Sequence, residues 1–251
     1  MSKDIAHLLG SWEYDPDNTV RFVDGADGRQ LIQVRLPLGI EQYELDGRPD
    51  GREPFGRESV LDEMEFRLQK FIEEHGEDSG FCLEHDDFEE IHSEGLLYYY
   101  RYLLLFQIGD YRRTSRDTEH NLRICTLVEN YCTNKDDRES LLQYKPYIIR
   151  VNALSRSMLY LGDNDKNRAL STIQTAIDEI ESGENLSSMV YRFERDRSLE
   201  QLRGTIEQLS KFGRGEVESL ESQLEDAVEK EDYEKAARLR DQILSRKKER
   251  K

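Results

Sequence analysis

Apolar side chains change their period once along this chain. Up to Leu45 they sit in short β-branched and aromatic runs, TVRFV, LIQVRLPL and IEQYEL. From Val60 onward they recur at three and four residues, as in Val60, Leu61, Met64, Leu68, Phe71 and Ile72. A strand turns alternate side chains to opposite faces, whereas a helix returns to one face about every 3.6 residues, so neither pattern serves the other element. The expected fold class is therefore mainly α. A small N-terminal antiparallel β meander of two or three strands precedes an irregular, helical-repeat-like body and a C-terminal αα-hairpin.

Punctuation sets the expected segments. DGADG joins the first two strands as a hairpin loop, and DGRPDG ends the third run, giving a β-rich segment over 1–56. So small a meander needs helices to pack on, with Trp12 and Tyr14 as the expected fastening. The helical body spans 57–212. Its first helix starts at Ser59 and is broken by GEDSG, and FCLEHDDFEEIHSE follows as an acidic, solvated face. Leu96 to Ile108 reads as a buried helix whose tyrosines belong to the core. Further helices are expected over Thr118–Asn130, Tyr147–Leu161, Lys166–Ser182 and Met189–Phe212, the last with Leu199, Leu202, Ile206 and Leu209 as one stripe. GDND joins two of these into an αα-hairpin with small residues Ala153, Ser155, Ala169 and Ala176, which weakly resembles a tetratricopeptide repeat. FGRGE reads as a flexible joint before residues 216–251.

Charge and cysteine usage narrow the function classes. The net charge is −17 over 251 residues, which argues against chain-wide attraction to nucleic acid or anionic lipid. Residues 57–95 hold three basic and fourteen acidic side chains, net −11. Cys82, Cys125 and Cys132 form no CxxC pair, which suits a reducing compartment. No signal peptide is read at the start, and GLLYYYRYLLLF is too short to span a bilayer, so a soluble cytoplasmic protein without membrane contact is expected.

The densest pattern lies at the end, in EDAVEKEDYEKAARLRDQI. Leu220, Leu224, Ala227 and Val228 share one helical face, and Tyr233, Ala236, Ala237, Arg240, Ile243 and Leu244 share another. KED interrupts the phase between them, with Asp232 as the expected N-cap of the second helix. A hairpin this small is expected to bury its apolar face on something else.

These residues resemble the UVR motif of the UvrB and UvrC excision-repair proteins, at Leu224, Ala227, Glu231, Tyr233, Glu234, Ala236, Ala237, Leu239, Arg240, Asp241 and Ile243. The resemblance implies an interaction module that pairs with another such hairpin, in a partner or a second copy, as four helices. The motif also occurs in McsA-type regulators of protein quality control, but this chain lacks their zinc-binding CxxC pairs. It also lacks the GxxxxGK[ST] loop, the helicase motifs and the GIY-YIG signature of the repair proteins, so their catalysis does not carry over.

The expectation is thus a non-enzymatic adaptor that docks a protein partner or itself, a homodimer included. The partner-binding residues would be Leu224, Ala227, Val228, Tyr233, Ala236, Ala237, Arg240, Asp241 and Ile243, with charge pairing choosing the partner. No cofactor, metal or direct nucleic-acid contact is expected, and the basic tail SRKKERK reads as a solvated helix end. The alternative is an accessory component of nucleotide excision repair recruited by UvrB- or UvrC-like proteins. A metal-dependent hydrolase built on His85 and His92, beside Cys82, is a third reading whose spacing fits no standard zinc pattern.

Overall fold

The structure is a computed structural model that describes residues 4–229 and 233–248, and beyond residue 211 only the side chains named below. Helix accounts for 67% of the chain and a three-stranded antiparallel sheet for most of the rest of its regular structure. The mainly α expectation holds. The chain divides into two compact units, residues 1–155 and residues 156–251.

In the first unit a short helix α1 (Ala6–Ser11), unforeseen in the sequence, precedes β1 (Val20–Asp24), β2 (Gln30–Leu36) and β3 (Gly39–Glu44). β2 lies between its neighbours, with Phe22 and Tyr43 both opposite Ile32. The DGADG loop closes through the Gly25 N–H donating to the Arg29 carbonyl at 2.7 Å, and Gly28 supplies a φ of +82°. Ile32, Val34, Tyr43 and Leu45 form one buried cluster with Leu105, so the sheet packs its apolar face on a helix. Trp12 fastens by charge more than by grease. Arg21 lies 4.0 Å over its ring and Arg35 donates to its carbonyl at 2.7 Å, while Tyr14 stays exposed.

Helix α2 (Val60–His75) is capped by the Ser59 side chain, which accepts from the Asp62 N–H, and ends at Gly76 with φ +84°, the left-handed closure glycine makes cheaply. Helix α3 (His85–Gln107) merges two expected segments, the acidic face and the buried helix, across Gly95. A glycine inside a helix costs about 1 kcal/mol against alanine, too little to outweigh burial of Ile91, Tyr98, Tyr102 and Leu105. Helix α4 (Tyr111–Tyr131) begins a full two turns before the sequence reading, capped by Asp110. Helix α5 (Lys135–Leu142) was not foreseen. Helix α6 (Lys145–Gly162) carries Asn152, which donates to Thr118 Oγ1 at 3.0 Å.

In the second unit the end of α6 turns at GDND, where Asn164 takes φ +59°, into α7 (Lys166–Ser182), capped by Asp165. Ser157 donates to the Ala169 carbonyl at 3.1 Å, the close approach that small residues permit. Helix α8 (Met189–Glu229) is 41 residues long. It buries Leu199 and Leu202 and runs on through Gly213 and Gly215, where a joint was expected. Those two glycines are flanked by good helix formers, so their cost is spread over many propagating hydrogen bonds. Helix α9 (Tyr233–Lys248) completes the unit.

Candidate functional site

The end of α8 and the whole of α9 are two helices joined across only three residues, and so short a connection makes antiparallel neighbours. Ala227 and Leu239 are buried against each other, with Leu220 and Leu224 packed on them, and Ile243 is buried a turn further along α9. Leu220, Leu224 and Ala227 follow a spacing of four and three, which keeps them on one face. The small Ala227 side chain lets the backbones close in.

The expected contact residues therefore separate into groups. Leu224, Ala227 and Ile243 lie partly or fully buried, and part of the apolar stripe is closed within the hairpin itself. Ala237, Arg240 and Asp241 are exposed on α9. Arg240 Nε lies 3.7 Å from Asp241 Oδ1, with both side chains more than two-thirds exposed. As sequence neighbours so open to water they contribute little to the fold. The side chains of Val228, Tyr233 and Ala236, and all of Lys230, Glu231 and Asp232 with the expected cap, lie outside the described residues.

A helical hairpin with a self-closed seam and a charged outer face is thus the class of element at this end of the chain. Residues 214–249 match the family model of the UvrB/uvrC motif, UVR. No curated protein and no solved structure matches the chain.

The first unit holds a second set of chemical groups, which the sequence reading missed. Glu94 is fully buried, and its carboxylate accepts the Val60 N–H at 2.7 Å and the Leu61 N–H at 3.1 Å. His120 Nε2 stands 3.1 Å away and Arg48 Nε 3.2 Å away. The His120 ring stacks on Tyr98 at 3.7 Å between centroids. Seven residues along α3, Arg101 makes a forked pair with Asp117 at 2.6 and 2.8 Å, both side chains fully buried. Its remaining Nη1 donates to the carbonyls of Glu44 and Gly47 at 2.7 and 2.9 Å. Arg116 donates to the Leu45 carbonyl at 2.6 Å and to Asp46 at 2.8 Å. The DGRPDG loop is thereby bolted to α3 and α4. A usable signal existed: Glu94 and Arg101 stand two turns apart on an apolar face where charges have no solvent reason to be.

That placement corrects the reading of 81–94 as a wholly solvated face, since Glu94, Phe88 and Ile91 point inward. Cys82, His85 and His92 are not brought together. Cys82 Sγ donates to Glu84, His85 Nδ1 lies 2.8 Å from Asp137, and His92 stacks on Phe88. The hydrogen bond to Asp137 raises the His85 pKa, whereas burial lowers that of His92. Among the described residues no three His, Cys, Asp or Glu side chains group to hold a metal ion. Cys125 and Cys132 are buried, and burial pushes the Cys132 thiol pKa up. No helix among the described residues is long and apolar enough to cross a membrane.

Proposed function

We propose that the protein is a non-enzymatic adaptor that docks a protein partner through the α8–α9 hairpin. The partner would carry a second hairpin of this kind, in another protein or in a second copy of this chain. The observation that carries this reading is the motif match at residues 214–249 on a hairpin whose outer face presents Ala237, Arg240 and Asp241. The self-closed seam of Ala227 and Leu239, with Leu220 and Leu224 on it, would keep the hairpin folded before docking, so binding need not bear the full entropy of folding it. A small side chain at Ala237 admits a close neighbour, and the adjoining opposite charges select it. The buried polar network of the first unit serves the fold in this view, and the site of action is the cytoplasm, without direct contact to nucleic acid.

Affinity capture from cell extract with the full chain and with the variant Ala237→Glu, Arg240→Glu, Asp241→Arg tests it. The variant should keep its helix content and lose the captured protein or its dimer mass. An unchanged capture profile together with an unchanged oligomeric mass refutes the proposal. The same motif match supports a second reading, an accessory role in nucleotide excision repair. Capture of UvrB- or UvrC-like proteins after DNA damage, rather than chaperone or protease subunits, would decide for it.

A further inference from the structure

The opening turns of α3 border a concave pocket of about 550 Å³ in the first unit, to which α3 contributes Asp86, Glu89, Glu90 and Ser93, and the preceding segments Arg48, Pro54, Phe55 and Val60. We propose that this pocket binds the side chain of a lysine or arginine presented by a basic segment of a partner protein. This inference stands apart from the hairpin reading.

Its composition fits that ligand. Such a side chain is an aliphatic stem ending in a cation, and the pocket offers apolar and carboxylate walls together. Arg48 is the one cation in the lining, and it is engaged elsewhere, its Nε lying 3.2 Å from Glu94 and 3.5 Å from Asp50. It is therefore not aimed at the three lining carboxylates, which stay exposed. Asp86 and Glu90 form no ion pair among the described residues, and Glu89 reaches only the His85 ring at 3.5 Å. Carboxylates so arranged do not converge on a single metal ion.

Phe55 supplies the second half of the case. The residue is 52% exposed, and its backbone holds φ +57°, a conformation that residues with a Cβ rarely adopt. An exposed aromatic ring at the wall of an acidic pocket is a cation-binding surface. It already attracts one guanidinium, that of Arg67 at 5.2 Å, whose charge is met by Glu63 and Asp87 at 2.8 and 2.9 Å. The surrounding segment, net −11 over residues 57–95, would draw a basic chain toward it.

The test uses the full chain and a fluorescent peptide of lysine, glycine and serine, followed by anisotropy at physiological ionic strength. Asp86→Asn with Glu90→Gln should weaken binding about tenfold, since two close counter-charges are lost. Phe55→Gly, which suits the positive φ and removes the ring, should weaken it about threefold. A control with the same charge change at exposed positions, Asp178→Asn with Glu200→Gln, should stay within about twofold, because screened distant charges act weakly. The proposal is overturned if the peptide does not bind, if the control weakens binding as much as the pocket variant, or if submillimolar magnesium displaces the peptide.

Discussion

Replacing Glu94 with glutamine keeps the shape of the side chain and removes half its accepting capacity. The two carboxylate oxygens accept from the Val60 and Leu61 amides and stand 3.1 Å from His120 Nε2, while Arg48 Nε lies 3.2 Å away as a counter-charge. Whichever way the new amide turns, its NH2 group faces donors, while the Arg48 guanidinium loses its nearest counter-charge. Breaking a buried charge pair costs about 3–5 kcal/mol, and hydrogen bonds to a charged group about 1.5–3 kcal/mol each. These overlap, so a loss of about 4 kcal/mol is expected for the first unit, equivalent to a fall of roughly 8–16 °C in melting temperature. Trp12, the single tryptophan, sits in that unit beneath Arg21 and reports on it by fluorescence during urea or thermal unfolding. Glu90→Gln, one turn earlier on the same helix but exposed, should change stability by about 0.5 kcal/mol or less. A loss below about 1 kcal/mol for Glu94→Gln, or equal losses for the two variants, would refute the reasoning.

Arg101→Lys should cost about 2–4 kcal/mol by the same assay, because an ammonium cannot reproduce the fork to Asp117 and still serve two carbonyls. Leu239→Asp should cost the hairpin about 2–3 kcal/mol. Hydrogen exchange is expected to show α9 amides deprotected and α2–α4 amides unchanged. The tie from His85 to Asp137 raises the imidazole pKa above its ordinary 6.5, so its stabilisation is fully present below that value and fades as pH rises through the raised one. Half-buried His92 acts oppositely, resisting protonation as pH falls. Melting curves of wild type and His85→Gln should therefore differ most near pH 6 and converge toward about pH 8; a gap that widens with pH would contradict the assignment.

The strands and most helices were legible because apolar spacing and turn residues say the same thing locally. DGADG, Gly76 and the Asp165 cap all fall where their backbone chemistry demands. Other features escaped for reasons that are equally physical. Helix α5 is short and polar, and its start rests on Asn134 accepting the Asp136 and Asp137 amides, a cap with little periodic signal behind it. Gly95 and the Gly213–Gly215 pair looked like breaks because glycine propensity is local, while the burial that overrides it in α3 is tertiary. Two charges on the apolar face of α3 marked Glu94 and Arg101, but their partners were not legible because they come from segments up to 57 residues apart. In the hairpin, the sequence grouped Ala237, Arg240 and Ile243 on one face of α9, and the structure divides them, with Ile243 buried and the other two exposed. Spacing alone does not say that Ala227 and Leu239 pack on each other while Ala237, Arg240 and Asp241 turn out.

The uninterrupted course of α8 gives its far end an angular phase. Forty-one residues at about 1.5 Å each make an axle roughly 60 Å long. One residue inserted near Gly213 would swing the face of Ala237, Arg240 and Asp241 by about 100° around that axle, and a four-residue insertion would nearly restore it. A partner gripping the hairpin would in turn exert torque on everything keyed to the shaft.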